Sequence, residues 1–212
     1  MATKEGIIKN WISSGIIKDR KVIEAFMKIP REEFIKEGKK EESYGDYPLP
    51  IGEGQTISQP TTVAIMTEAL ELEKGHKVLE VGAGSGYQAA LIAEIIGPKG
   101  KIISIEIIPE LVKLAQKNIQ KLRLKNVDII HHDGSKGYAK EVPYDRIIIT
   151  AASPKIPKAL INQLKENGII IIPVGDLNEQ IMIKGIKKNN KLIEEKLGQF
   201  MFVPLKGKYG HD

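Results

Sequence analysis

Val78-Leu79-Glu80-Val81-Gly82-Ala83-Gly84-Ser85-Gly86-Tyr87 is the stretch around which the chain is organised. Its apolar residues Val78, Leu79 and Val81 read as a buried strand of a parallel sheet. Gly82, Gly84 and Gly86, at alternate positions, let the backbone turn tightly and present bare main chain to a ligand. The residues behind them, Tyr87-Gln88-Ala89-Ala90-Leu91-Ile92-Ala93-Glu94, read as a helix whose free N–H groups point into the turn. Strand, glycine turn and helix start together make a nucleotide-binding corner.

Spacing and charge narrow the nucleotide. A dinucleotide fingerprint is G-x-G-x-x-G after a strand, whereas this corner runs G-x-G-x-G and places Tyr87 three residues after Gly84. Glu80 lies two residues before the first glycine, where a carboxylate would repel a pyrophosphate. It suits a cationic ligand, and S-adenosylmethionine carries a sulfonium and an ammonium. Glu106 ends the next apolar run, Lys101-Ile102-Ile103-Ser104-Ile105, where an acid can accept hydrogen bonds from both ribose hydroxyls. The cofactor-facing candidates are therefore Glu80, Gly82, Ala83, Gly84, Gly86, Glu106 and Ile107. The simpler alternative is a tight βα turn with two ordinary loop acids, and the placement of Glu80 and Glu106 favours the ligand site.

Composition sets the class. A chain of 212 residues with 42% hydrophobic and 28% charged side chains is ordinary globular chemistry with a full core. The net charge of +5 comes from bases scattered among acids, with no basic block of the kind that marks a nucleic-acid surface. The Lys-, Glu- and Ile-rich balance fits a heat-adapted protein with surface ion pairs. The absence of cysteine excludes disulfides, thiolate metal sites and cysteine nucleophiles. No apolar run reaches the roughly 18 residues of a membrane span, and Met1-Ala2-Thr3-Lys4-Glu5-Gly6 is no signal peptide. The expectation is a cytoplasmic protein with neither membrane nor nucleic-acid partner.

Taken in order, residues 4–36 read as helices. Ile7, Ile8, Trp11 and Ile12 form one apolar face, and Val22, Ile23, Phe26, Met27 and Ile29 a second. Asp19 is placed to cap the second helix, which Pro30 ends. Residues 38–60, rich in Gly and Pro, read as one long loop of the functional kind. Its end, Gly54-Gln55-Thr56-Ile57-Ser58-Gln59-Pro60, leads into a helix over 61–72, so Ser58 or Gln59 is a candidate N-cap, with Pro60 in the first turn. Then come strand 77–81, helix 86–96, strand 101–105, helix 109–122, strands 126–130 and 145–150, helix 157–165 and strand 168–172. Residues 180–186 and 191–194 close the chain as an antiparallel hairpin around Lys188-Asn189-Asn190. The fold expected is α/β, a doubly wound, mostly parallel seven-stranded sheet with an antiparallel last pair. One domain spans 1–212, with N-terminal helices and a loop over 1–60 and the cofactor-binding core over 61–212. Asp133-Gly134 follows the third strand at the ligand-binding edge, where Asp133 can accept from an adenine amine or simply cap its own turn. His131 and His132 diverge on a strand, so no metal site is expected.

With these residues in hand, the sequence resembles the protein-L-isoaspartate (D-aspartate) O-methyltransferase family from about residue 20 onward. Gly54-Gln55-Thr56-Ile57-Ser58-Gln59-Pro60 and the glycine corner carry the likeness. Pro143-Tyr144-Asp145, Thr150-Ala151-Ala152, Pro173-Val174-Gly175 and Phe202-Val203-Pro204-Leu205 continue it. The resemblance implies the S-adenosylmethionine-dependent methyltransferase fold and transfer of a methyl group to the free α-carboxylate of isoaspartyl residues in damaged proteins, the start of repair. It implies that Ser58 sits at the substrate carboxylate, that Asp46, Thr56, Ile57 and Val203 belong to the substrate site, and that Gly134 joins Asp133 beside the cofactor. His132 departs from the family, which usually has glycine before Asp-Gly. Three other readings compete. A methyltransferase of RNA or small molecules lacks support in Thr150-Ala151-Ala152-Ser153-Pro154, which holds no Asn-Pro-Pro-Tyr element. A nicotinamide oxidoreductase conflicts with Glu80 and the glycine spacing. A cofactor-binding module without catalysis stays open.

Overall fold

The alternation of apolar runs and amphipathic segments folds as one sheet with helices on both faces, described for residues 2–211 in a computed structural model. Helices α1 (Lys4–Ser13) and α2 (Arg20–Lys28) lead, followed by a hairpin of β1 (Leu49–Gly52) and β2 (Gln55–Ile57). Then come α3 (Pro60–Ala69), β3 (Lys77–Val81), α4 (Tyr87–Ile96), β4 (Lys101–Glu106), α5 (Pro109–Lys121) and β5 (Val127–His131). The chain closes with β6 (Tyr144–Ile149), α6 (Lys158–Gln163), β7 (Leu164–Gly175), β8 (Gln180–Lys188) and β9 (Lys191–Phe200).

The main sheet has seven strands in the order β5-β4-β3-β6-β7-β8-β9. Strands β5, β4, β3, β6 and β7 run parallel, and β8 is antiparallel to both its neighbours. The organising strand β3 lies between β4 and β6, so the chain winds outward in opposite directions from it. That switch point opens a crevice at the carboxyl ends of the strands.

The period of two divides the strand side chains between two cores. Val78, Ile102, Ile148 and Ile171 pack under α4 and the N-terminal helices. Leu79, Ile103, Ile147 and Ile170 pack with Leu160 of α6, Tyr144 and Leu205. Glu80 shares the face of Val78 and sits opposite Ser104 in the register. Helix α4 is apolar around almost its whole circumference because it is covered on both sides, by the sheet and by the N-terminal extension. An edge-to-face aromatic chain joins the layers: Trp11–Phe26 at 5.1 Å, Phe26–Tyr87 at 6.4 Å and Tyr87–Phe34 at 5.2 Å between centroids. Asp19 caps α2 as its sequence position suggests, accepting from Lys21 N.

Several expectations need correction. Residues 38–60 are not one loop. They hold a 3-10 turn over Glu37–Glu42 and the β1–β2 hairpin, because Gly52, Glu53 and Gly54 all take positive φ (114°, 54° and 68°) and fold the chain back on itself. Ile12 and Met27 stay outside the core, 47% and 45% exposed. Helix α6 is shorter than expected because Leu164 already pairs with Tyr144 in the sheet. The last hairpin turns through Asn189 and Asn190, both at positive φ, between the paired residues Lys188 and Lys191.

Candidate active site

The crevice at the switch point is a cleft with about 890 Å³ of atom-free space. Four stretches line it: Glu80, Gly82, Ala83 and Gly84; Glu106, Ile107, Ile108 and Leu111; Thr56, Ile57 and Ser58; and Val203 to Lys206. A second, wider groove holds Gln180, Gln199, Phe200, Met201 and Phe202. The two share Thr56, Ser58, Thr150 and Val203. A small ligand in the first and a chain segment in the second would meet at those four side chains.

Glu80 is fully buried, and one carboxyl oxygen accepts from the Ser104 hydroxyl. The other, Oε1, has no partner among the described residues. Burial, reinforced by nearby Glu106 and opposed by the Ser104 hydrogen bond, pushes its pKa up to about 8 from the ordinary 4.5. Glu106 braces the corner itself. Oε2 accepts from Gly84 N at 3.0 Å, and Oε1 accepts from Ile107 N and Ile108 N at 2.8 and 2.9 Å. Each oxygen offers two lone pairs, so Oε2 keeps one for a ligand hydroxyl. The turn is anchored from below, with Gly82 N and Ala83 N donating to Ile105 O at 2.8 and 3.0 Å.

Of the three glycines of the corner, Gly82 leaves the least room for a side chain. Its φ is +97°, and a Cβ there would lie 2.3 Å from Thr150 Oγ1. Thr150 donates to Gly82 O at 2.6 Å, so the end of β6 locks the glycine turn. Gly84, at φ +54°, also lines the cleft. Gly86 lies outside the cleft-lining residues. It begins α4 at φ +88° and lets α5 approach, with Ala115 at 3.4 Å from where its Cβ would stand.

Ser58 lies in the linker between β2 and α3. The helix cap is Gln59, without a side-chain hydrogen bond, and Pro60 takes the first helical position. Of the two cap candidates it is Gln59, not Ser58, that takes the position, and Ser58 lines both clefts. The first turn of α3 is instead held by Asp46, whose carboxylate accepts from Thr61 N at 2.9 Å and Thr61 Oγ1 at 2.8 Å. Asp46 thus stabilises the loop from behind and lines neither cleft.

Asp133 is similarly occupied. It accepts from Ser135 N and Oγ at 3.1 and 2.6 Å, and from Lys208 N at 3.0 Å. Lys136 Nζ stands 3.2 Å away. Burial pushes its pKa up, but the hydrogen bonds of Ser135, Lys208 and Lys136 outweigh this and hold it below the ordinary 3.8. These contacts take up its lone pairs, so Asp133 ties the C-terminal segment to the sheet edge while Gly134 lines the cleft. Thr150 and Gln180 were not singled out as site residues from sequence. Thr150 carried a signal, as the residue directly after a core strand. The side chain of Gln180 accepts from Phe202 N at 2.7 Å, a pairing set only by the tertiary fold.

The residues present fit an adenosyl sulfonium cofactor. An orphaned buried carboxyl oxygen awaits a donor or cation, a glycine cradle has no room for a side chain, and a second carboxylate keeps a free lone pair beside apolar Ile107, Ile108 and Leu111. No group of three or more potential metal ligands occurs among the described residues.

The Glu80 shift has a testable sign. Below about pH 8 its carboxyl is protonated. A cationic ligand that needs it ionised must displace that proton, so affinity should rise as pH rises toward 8 and level off above. Calorimetric titration with S-adenosylmethionine at pH 7, in two buffers of different ionisation enthalpy, should show up to about one proton released per ligand. Equal heats in the two buffers would contradict the assignment. The raised pKa also makes the ligand-free fold lose stability as pH rises from 4.5 to about 8, since the folded state binds the extra proton over that window.

A family profile described as protein-L-isoaspartate(D-aspartate) O-methyltransferase (PCMT) matches residues 2–210. The chain is 53% identical over 191 residues to protein-L-isoaspartate O-methyltransferase 2 of Archaeoglobus fulgidus, covering 90% of this chain and 87% of the relative. A solved protein-L-isoaspartate O-methyltransferase superposes with a TM-score of 0.89 at 31% identity, covering 98% of this chain and 67% of that one. A Plasmodium falciparum protein provisionally assigned to the same activity superposes at 0.85 and 28% identity, covering 97% and 99%, and its crystal contains S-adenosyl-L-homocysteine.

Proposed function

Because the chain belongs to the protein-L-isoaspartate(D-aspartate) O-methyltransferase family, we propose that it methylates the free α-carboxylate of isoaspartyl residues in damaged proteins, using S-adenosylmethionine. The observation that carries this reading is the meeting of the two clefts at Thr56, Ser58, Thr150 and Val203. One cleft suits a cationic nucleoside and the other an extended peptide.

When bound, the cofactor supplies an electrophilic methyl group on a sulfonium. Glu80, Gly82, Ala83, Gly84, Glu106, Ile107 and Gly134 would hold it. The acceptor carboxylate is ionised at neutral pH, so this chain needs no general base. What its residues supply is orientation. Ser58 would donate to one carboxylate oxygen and leave the other aimed down the first cleft. Thr56, Ile57 and Val203 would confine the substrate backbone around it. Asp46 and Asp133 serve the site indirectly, by fixing α3 and the C-terminal segment. The methyl ester is a better electrophile than the carboxylate, so the following amide nitrogen can close a succinimide, and water opens this partly to normal aspartate. That part of the repair asks for no further residue.

The proposal places the reaction in the cytoplasm with isoaspartyl proteins and peptides as partners, and no nucleic acid. No described helix is long and apolar enough to cross a membrane.

Incubation with methyl-labelled cofactor and paired peptides that differ only in Asp or isoAsp tests the function. Base-labile label on the isoAsp peptide alone is expected. Equal labelling of both peptides, or alkali-stable label, would refute it. Removing the ribose-side acid has a separate readout. Glu106→Ala loses the brace on Gly84 and the free lone pair, each a hydrogen bond to a charge worth about 1.5–3 kcal/mol, so cofactor Kd should rise by about tenfold or more. Unchanged affinity by calorimetry would take Glu106 out of the site.

A further inference from the structure

Arg31 is completely buried. Its neighbours Glu32 and Glu33 turn elsewhere, Glu32 to the Tyr44 hydroxyl at 2.5 Å and Glu33 to Lys121. No carboxylate pairs with the guanidinium among the described residues. Its Nε donates to Ser43 O and its Nη2 to Ser58 O, both at 2.8 Å. Nη1 is buried without a partner. The guanidinium carbon stands 5.3 Å from the centroid of the Tyr87 ring, the first residue of α4 and part of the cofactor cleft. Burial pushes the Tyr87 phenol up, so that ring stays neutral and offers a π face rather than a counter-charge.

Asp46 favours the charged form from a distance, but no described carboxylate touches the guanidinium. A buried cation without a direct ion pair is costly, and a hydrocarbon side chain would fill the same space at less cost. What a hydrocarbon cannot do is hold two distant carbonyls at fixed positions. Ser43 ends the 3-10 turn that precedes the β1–β2 hairpin, and Ser58 directly follows β2. The planar fork of Arg31 spans both and rests on the corner that begins α4. The main chain of the residue that meets the acceptor is thereby tied to the element that forms the cofactor cleft.

We propose that Arg31 is a positioning residue for methyl transfer: its buried fork fixes the Ser58 main chain relative to the glycine corner. This deepens the isoaspartyl carboxylate reading and rests on it. Arg31 touches neither reactant and acts through Ser58.

A double-mutant cycle separates this role from plain structural support. The proteins are wild type, Arg31→Met, Ser58→Ala and the double variant. The measurements are kcat and KM on an isoaspartyl peptide, the calorimetric Kd for S-adenosylhomocysteine, and thermal unfolding. Arg31→Met should lower kcat by about tenfold or more through misorientation, with S-adenosylhomocysteine affinity held within about threefold. In the double variant kcat should fall little below that of the worse single variant, because both changes disable one unit. Arg31→Lys keeps the charge but cannot span both carbonyls, so its kcat should lie between wild type and Arg31→Met. If Arg31→Met does not fold, the same cycle with Arg31→Lys decides the matter. Additive effects, or wild-type kcat in the foldable variant, would overturn the positioning role. Failure of the underlying reaction shows separately, as a wild-type enzyme that leaves the isoaspartyl peptide unmethylated.

Discussion

Ser58→Ala is expected to lower kcat on an isoaspartyl peptide by about 10- to 100-fold, the loss of one hydrogen bond to a charged group at about 1.5–3 kcal/mol. Cofactor affinity should stay near wild type. The reason lies in what Ser58 does not do. Its hydroxyl caps no helix, since Gln59 holds that position, and Asp46 satisfies the first turn of α3 instead. Removing the hydroxyl should therefore leave the fold intact while the acceptor carboxylate loses its guide. Steady-state kinetics on a single peptide, with calorimetric binding of S-adenosylhomocysteine as control, makes the check. Near-normal turnover would remove Ser58 from the reaction.

Gly82→Ala is expected to weaken cofactor binding by about 100-fold, or about 2.7 kcal/mol. Its added methyl would lie 2.3 Å from Thr150 Oγ1, in a backbone conformation at φ +97°. Either the turn shifts or Thr150 gives up its hydrogen bond to Gly82 O. The first moves main chain of the cofactor cleft, and the second frees the Thr150 side chain where the two clefts meet. Strain of this kind costs about 1–3 kcal/mol, so a drop in melting temperature should accompany the loss. Gly84→Ala supplies the contrast. Its Cβ would meet only Ile51 Cδ1 at 3.5 Å, and a left-handed non-glycine residue costs about 1–2 kcal/mol. A comparable effect from both variants, measured by cofactor titration and melting, would contradict the role given to Gly82.

The fold was legible because its signals are local. Apolar runs ending in Gly82, Glu106 and Asp133 announce strands delivered to one edge. Asn189-Asn190 announces the last turn. Glu80 stood out as an acid inside an apolar strand, a local conflict of the kind that marks functional sites. The roles of Asp46, Asp133 and Gly86 were less legible, because whether a carboxylate is free or already bonded depends on chain far away. Asp133 is taken by Lys208, and Asp46 by the start of α3. Arg31 was hidden for the same reason. Nothing local in Pro30-Arg31-Glu32-Glu33-Phe34 sets the cation apart, and only the tertiary fold buries it against Ser43, Ser58 and Tyr87. The β1–β2 hairpin escaped notice because its strands are only four and three residues long, too short for alternation to stand out against Gly and Pro.

The most direct measurement is a crystal structure with S-adenosylhomocysteine and an isoaspartyl peptide bound together. The product should fill the Glu80–Glu106 cleft. The peptide should lie in the groove beside Val203, with its α-carboxylate within hydrogen-bond reach of Ser58 Oγ. A peptide bound elsewhere, or a carboxylate turned away from the first cleft, would contradict the account.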